Sequence, residues 1–294
     1  MSIEPIYFRG RRFWVLRDDL IGGEFNGNKA RKLAFLLNSN LNHINRIISY
    51  GSSQSNAMYS ISLLAKMCGV KFIYFTNHIC DFLLNNPCGN YAYALKNGMD
   101  IKISPNPSKS AQNECKSSSD LFIPEGVAMR EAEIGFKEQA KIIQDYAKKN
   151  RIKFDIFLPS GTGCSAAFLA KNLDDMSVWS VPCVGDTQYL KEQILALDPF
   201  SKVKILNPPK KYHFGKLYLE IYEIYKELLD SNIEFELLYD GVGWLTLMNN
   251  LDKFQNEILY IHQGGILGNI TLLLAQTNLI LRFLTSDFIF FIVL

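Results

Sequence analysis

Phe154-Asp155-Ile156-Phe157-Leu158 runs without a break into Pro159-Ser160-Gly161-Thr162-Gly163-Cys164-Ser165-Ala166. The first five residues are nearly all apolar, as in a strand buried on both faces of a parallel sheet. A turn of small residues follows, and then a helix. Glycines let backbone N–H groups turn toward one point, and the start of a helix adds positive potential there. Thr162 and Ser165 add hydroxyl donors. Strand, glycine turn and helix together suit a phosphate dianion. The same residues satisfy a second pattern, GxGxxA, through Gly161, Gly163 and Ala166. Asp186 then falls about 20 residues on, where a dinucleotide-binding protein keeps a ribose-binding acid. That pattern implies an oxidoreductase using NAD(P). A tight strand–helix turn packed with small residues is the plain alternative.

The pattern extends in both directions. Strand-like runs lie at Phe13–Leu16, Arg46–Tyr50, Val70–Phe75, Ile101–Ser104, Leu121–Pro124, Val178–Val184 and Ile258–Ile261. Helical periodicity lies between them, with Ile61, Leu63, Leu64 and Met67 expected on the inside of one helix. This alternation predicts α/β layers with parallel sheets. Pro105 and Pro107 predict an irregular surface loop from Pro105 to Ser119. Leu237 to Gly241 reads as the end of a short strand. Leu279 to Leu294 is almost wholly apolar, yet Arg282 and Asp287 break it, and a spanning helix needs about 20 apolar residues.

A second stretch carries chemistry. Gly27-Asn28-Lys29-Ala30-Arg31-Lys32-Leu33 follows a turn-rich run and opens an amphipathic helix, expected to reach about Leu41. A lysine held by such a turn can face a pocket rather than water. A desolvated lysine sheds its proton more easily, and the neutral amine attacks carbonyls. That is the requirement for a Schiff-base lysine. The bland alternative makes Lys29, Arg31 and Lys32 three cations on a solvated helix start.

Composition excludes several classes. The chain has 294 residues, 48% apolar and 20% charged, which is globular and large enough for about two domains. A net charge of +2 without a basic block argues against a nucleic-acid partner. The six cysteines form no CxxC pair and show no metal-ligand spacing, so they read as reduced thiols of a cytoplasmic protein. No signal-peptide pattern opens the chain, and membrane association is not expected.

Five stretches stand in order along the chain: GNKARKL (Gly27–Leu33), GSSQSNAM (Gly51–Met58), SGTGCSAA (Ser160–Ala167), LYDG (Leu238–Gly241) and IHQGG (Ile261–Gly265). Together with Arg17-Asp18-Asp19-Leu20 they resemble the pyridoxal-phosphate (PLP) enzymes that comprise 1-aminocyclopropane-1-carboxylate (ACC) deaminase and D-cysteine desulfhydrase. The resemblance runs from about Phe13 to Gly265. It implies the tryptophan synthase β-like fold (fold type II), with two α/β three-layer domains and PLP in the cleft between them. The expected division is 1–43 with 136–294 as the large domain and 44–135 as the small one. It also implies a small amino-acid substrate, converted to a 2-oxo acid and ammonia, with sulfide released from cysteine. The family leaves room for a homodimer.

Roles follow from the same resemblance. Lys29 would carry PLP as a Schiff base and then shuttle protons. Asn56 would hydrogen-bond the phenolic oxygen, and Ser55 would sit by the substrate carboxylate. Gly161, Thr162, Gly163, Cys164 and Ser165 would hold the phosphate. Asp240 matches the acid at the pyridine nitrogen, and Tyr239 an active-site tyrosine. No metal is implied. This chain departs from the family at several places. The acid is Asp240 and its partner position is Gln263, where ACC deaminases pair glutamate with leucine and desulfhydrases use two threonines. Ala57 replaces the usual glutamine and Val242 the usual lysine. Phe214 falls at a second tyrosine, with Tyr212 as the nearby substitute. These changes motivate a further alternative, a catalytically silent relative that keeps the coenzyme pocket.

Overall fold

The structure is a computed structural model, and it describes residues 2–21, 23–25 and 27–275. The apolar stretch expected at 279–294 lies outside the described residues. The strands are β1 (Ile3–Phe8), β2 (Arg11–Arg17), β3 (Arg46–Tyr50), β4 (Lys71–Thr76), β5 (Met99–Ile103), β6 (Asp120–Ile123), β7 (Phe154–Ser160), β8 (Ser177–Pro182), β9 (Lys204–Ile205) and β10 (Glu257–His262). The helices are α1 (Asn28–Leu37), α2 (Asn56–Cys68), α3 (Asp81–Asn85), α4 (Gly89–Lys96), α5 (Pro107–Glu114), α6 (Glu133–Asn150), α7 (Cys164–Asn172), α8 (Thr187–Leu197), α9 (Leu219–Leu229) and α10 (Asp240–Met248). Residues 267–275 are also helical.

Among the described residues the strands form two sheets. One has the order β1-β2-β10-β7-β8-β9, and the other β5-β4-β3-β6. Every pairing is parallel except β1 with β2. The strand expected at residues 154–158 lies inside the larger sheet, between β10 and β8, and all of β7 is buried.

Strand alternation makes three layers of each sheet. In the larger sheet Leu16, Ile156, Leu158, Leu259 and Ile261 face α6 and α7, packing on Phe136 and Phe168. Their neighbours Phe13, Val15, Phe157, Ile258 and Tyr260 face α9 and α10, around the fully buried Trp244. In the smaller sheet Ile47, Phe72 and Tyr74 face α2 and α4, while Ile48, Ile73 and Phe75 face Ala111 of α5.

Several expectations are corrected here. Residues 105–119 are not an irregular loop, because Pro107 opens α5. Proline is tolerated in the first turn of a helix, where its missing N–H costs nothing. Asn106 caps that turn by accepting from the Lys109 N–H at 3.2 Å. Leu237 to Gly241 does not end a strand. Asp240 opens α10, and its carboxylate folds back to accept from the Glu236 N–H at 3.0 Å. Met67 is 64% exposed, not inside. The first helix also ends earlier than expected, at Leu37. Among the described residues no helix is long and apolar enough to cross a membrane.

Asp120 pins the edge of the smaller sheet. It accepts from Arg46 Nε and Nη2 at 2.8 and 2.7 Å, and from the Lys116 and Ser117 N–H groups at 2.9 and 3.0 Å. The Arg46 guanidinium above all, helped by those amides against the pull of burial, holds its carboxyl far below the usual range. A depressed carboxyl contributes stability that is present above its ordinary pKa and lost as pH falls toward the folded value. Asp120→Asn is therefore expected to lower stability at neutral pH and to flatten the loss of stability below about pH 4. Urea unfolding at several pH values tests this, and parallel wild-type and variant curves would contradict it.

Candidate active site

A cavity of about 520 Å³ lies where the strands of both sheets end. Tyr50 and Gly51 at the end of β3, Glu125 after β6, Ser160 and Gly161 at the end of β7, and Gln263 after β10 all line it. Ligand sites of parallel α/β sheets lie at these carboxyl ends.

Lys29 is in the first turn of α1 and only 8% exposed. Gly27 caps that helix with φ +68°, and a Cβ there would sit 1.8 Å from the Gln263 carbonyl oxygen. Glycine is thus required by both conformation and space. The Gly27 N–H donates to the Asp18 carbonyl and the Asn28 N–H to the Gln263 carbonyl, each at 2.9 Å. These bonds tie the lysine turn to β10. Lys29 Nζ donates to Asn28 Oδ1 at 2.8 Å, and Asn28 Nδ2 donates to Gln263 Oε1 at 2.8 Å and Ser165 Oγ at 3.3 Å. Burial first, then the nearby charge of Lys32, pushes the Lys29 amine well below the ordinary lysine range; Cys164 and Glu236 oppose this. The solvated-cation alternative fails for all three residues. Arg31 and Lys32 are 4% and 3% exposed. Arg31 donates from Nε and Nη2 to Asp18, each at 2.8 Å. Lys32 Nζ donates to the Gly126 carbonyl at 2.8 Å and also lines the cavity.

On the opposite wall Ser55 caps α2, its Oγ accepting from the Ala57 N–H at 3.1 Å. Asn56 follows, with Oδ1 accepting from Asn90 Nδ2 at 2.6 Å. A Cβ at Gly265 would meet Asn56 Nδ2 at 2.3 Å, so this glycine lets the Asn56 amide lie against the turn after β10. The phosphate-type turn also meets the cavity. Gly161, Thr162, Gly163, Cys164 and Ser165 line it. Gly163 is the N-cap of α7 at φ +70°, and no side chain caps that helix end. Its N–H groups and partial positive charge are therefore available to an anion. Cys164 is buried, and burial pushes its thiol up, against the charges of Lys32 and Lys29.

Tyr239 and Asp240 close the site. A Cβ on Gly161 would lie 3.4 Å from the Tyr239 hydroxyl. Burial, then Glu236, raises the Tyr239 phenol well above the usual range, so it is protonated at neutral pH. Asp240 Oδ1 accepts from Tyr260 at 2.8 Å. His262 Nδ1 lies 3.4 Å from Asp240 Oδ2. Every site residue expected from sequence (Lys29, Ser55, Asn56, Gly161 to Ser165, Tyr239 and Asp240) therefore lines this one cavity.

Other expectations fall away. Asp186 does not line the cavity. It is exposed and caps α8, accepting from the Tyr189 N–H at 2.8 Å. Tyr212 does not stand in for Phe214: it packs on Tyr218 at 5.1 Å, whereas Phe214 packs on Tyr239 at 5.3 Å and lines the cavity. Sequence reasoning overlooked Lys32, although its spacing of three from Lys29 places both on one helix face. Glu125, Asn90 and the Tyr260–His262 support of Asp240 left no sequence signal.

No family model matches the chain. It is 25% identical over 286 residues to a protein of Pyrococcus horikoshii named a putative 1-aminocyclopropane-1-carboxylate deaminase, covering 88% of this chain and 86% of that one. It is 23% identical over 294 residues to the bifunctional D-cysteine desulfhydrase/1-aminocyclopropane-1-carboxylate deaminase of Arabidopsis thaliana, covering 88% and 73%. A solved ACC deaminase homologue superposes with a TM-score of 0.70 at 21% identity, covering 92% of this chain and 91% of that one. The chain is related to the ACC deaminase/D-cysteine desulfhydrase proteins. Its fold is the tryptophan synthase β-like fold. A hydrogen sulfide-producing enzyme of Fusobacterium nucleatum shares that fold more distantly, with a TM-score of 0.62 at 12% identity over 90% of this chain and 92% of that one.

Proposed function

We propose that this chain is a PLP-dependent lyase or deaminase that converts a small amino acid to a 2-oxo acid and ammonia. One observation carries the reading: a buried amine, Lys29, shares a cavity with the uncapped N-terminus of α7. The residues present fit the coenzyme. The glycine turn and α7 offer N–H donors to a phosphate, and the Lys32 amine lines the same cavity. We take 1–43 with 136–294 as the coenzyme-holding domain and 44–135 as the small one.

When bound, the coenzyme supplies an aldehyde to a lysine amine and a ring that draws electrons from the bonds at the substrate α carbon. The chain does the rest. Lys29 presents a buried nitrogen whose charge burial disfavours, and it would then carry protons. Asn56, whose Oδ1 is held by Asn90, would donate to the phenolic oxygen of the coenzyme. Asp240, oriented by Tyr260 and the Glu236 N–H, would hold a proton at the ring nitrogen. Ser55 and the start of α2 receive the substrate carboxylate. Tyr239, protonated at neutral pH, acts as an acid toward the substrate. Phe214 offers no hydroxyl beside it, which favours loss of a β-thiol, as from D-cysteine, over opening of the ACC ring.

Assaying the coenzyme-loaded protein with D-cysteine and ACC side by side tests this. Pyruvate and sulfide from D-cysteine are expected. A colourless protein that binds NAD(P) would overturn the reading. A coloured protein inert toward both D- and L-amino acids would make it a silent relative. Asp240→Asn is expected to keep the visible band but slow turnover by on the order of 100-fold. Unchanged turnover would remove Asp240 from the ring nitrogen.

A further inference from the structure

Gln263 lines the cavity at a position where this chain departs from the ACC deaminases and the desulfhydrases, and the chemistry proposed above gives it no task. It follows β10 directly, and Pro159 lies in the neighbouring strand β7. Three side-chain bonds run in series from there to the lysine. Gln263 Nε2 donates to the Pro159 carbonyl at 2.6 Å, Asn28 Nδ2 donates to Gln263 Oε1 at 2.8 Å, and Lys29 Nζ donates to Asn28 Oδ1 at 2.8 Å. Asn28 Nδ2 also donates to Ser165 Oγ at 3.3 Å. Pro159, Asn28, Lys29 and Ser165 all line the same cavity.

The direction of this series is set at its far end. A side-chain amide can present either its oxygen or its nitrogen to a neighbour, so its orientation follows from the partners it meets. A backbone carbonyl only accepts. The Gln263 atom that faces Pro159 is therefore the nitrogen, and the one that faces Asn28 is the oxygen. That oxygen also only accepts, so Asn28 must turn its nitrogen toward Gln263 and its own oxygen toward Lys29. A neutral amine has one lone pair. When it donates N–H to an oxygen, the lone pair stays free to attack a carbonyl carbon. An Asn28 turned over would offer N–H instead and occupy that lone pair. Ser165 is oriented in the same way: its oxygen accepts from Asn28, which leaves its hydrogen to donate elsewhere. We propose that Gln263 is a positioning residue for the Lys29 amine, locking Asn28 with its oxygen toward Lys29 Nζ so that the lone pair stays free. This deepens the PLP reading above, on which its meaning for the reaction rests. A leucine at this place, as in the ACC deaminases, would leave Asn28 without the partner that decides its orientation.

Reductive methylation reads the amine without the coenzyme. The nitrogen adds to formaldehyde, water leaves, and cyanoborohydride supplies the hydride that completes the methyl group. The full-length chain, stripped of any bound coenzyme, is labelled at a pH high enough that the rate no longer rises, so that protonation does not enter. Mass spectrometry of the peptides follows Lys29, with the equally buried Lys32 as the internal control. Gln263→Met keeps the length of the side chain and loses both amide groups. It is expected to slow labelling of Lys29 about fivefold, the weight of one net hydrogen bond, and to leave Lys32 unchanged. Gln263→Leu is expected to act alike. With Asn28→Ala already in place, Gln263→Met is expected to change nothing further at Lys29, since its influence runs through Asn28. An unchanged Lys29 rate in both Gln263 variants overturns the inference, as does a slowing that persists beside Asn28→Ala. Faster labelling of Lys29 and Lys32 together means a loosened fold rather than a turned amide, and overturns it too. Failure of the stripped wild-type chain to acquire a visible band with pyridoxal phosphate overturns the PLP reading and leaves the comparison at Lys29 standing.

Discussion

Lys29→Ala is expected to abolish the visible coenzyme band and to cut turnover by on the order of 1000-fold or more. The substitution removes the nitrogen proposed to hold the coenzyme and to carry protons. Its expected effect on folding is small. Lys29 Nζ donates to Asn28 Oδ1, and Asn28 keeps its bonds to Gln263 and Ser165 without it. Loss of a buried, desolvated amine offsets part of the lost packing. Absorbance, turnover and urea unfolding of the same preparation separate the two effects. A variant that keeps the band and half its activity would place the chemistry on another amine, and Lys32 would then be the first candidate.

The largest expected loss of stability lies close by, at Asp18. Its carboxylate is fully buried, accepts from Arg31 Nε and Nη2, and accepts from Gln139 Nε2 at 2.7 Å. Arg31 Nη1 also donates to the Gly135 carbonyl at 3.2 Å. Every one of these partners of the carboxylate is a donor, which is the geometry of an ionised group. The pair fastens α1 to α6, and the Asp18 backbone carbonyl receives the Gly27 N–H of the lysine turn. Asp18→Ala removes the carboxylate that meets the buried guanidinium, a loss of about 3–5 kcal/mol. Much of a typical domain's stability would go with it. The double change Asp18→Leu with Arg31→Met leaves no stranded charge and is expected to cost far less. Urea unfolding of the single and double variants decides the point. Equal losses would mean that packing, not the uncompensated charge, governs the site.

What could be read from sequence was local and periodic. β7 and its glycine turn were legible because an apolar run ending in Gly161 and Gly163 has few other uses. The alternation of strands and helices announced parallel sheets for the same reason. α5 was not legible, because Pro107 breaks a helix anywhere but its first turn, and sequence alone does not reveal the turn number. The start of α10 was hidden similarly: Tyr239, Asp240 and Gly241 are poor helix formers, and the turn is held by Asp240 folding back on Glu236 and by packing against Ile221, where a Cβ on Gly241 would lie 2.5 Å away. β1 is an edge strand whose residues alternate weakly, and its partner β2 defines it. The cations of α1 were the hardest to place. Arg31 and Lys32 look like a solvated face until Asp18 and the Gly126 carbonyl come up to meet them.

One particular nitrogen, Lys29 Nζ, is assigned to hold the coenzyme, and the rest of the chemistry depends on it. Loading the protein with pyridoxal phosphate, reducing it with borohydride and mapping the peptides by mass spectrometry tests it directly. A single stable adduct on the peptide carrying Lys29 is the expected result. An adduct on Lys32 or any other lysine instead, or a loaded protein with no adduct, would contradict it.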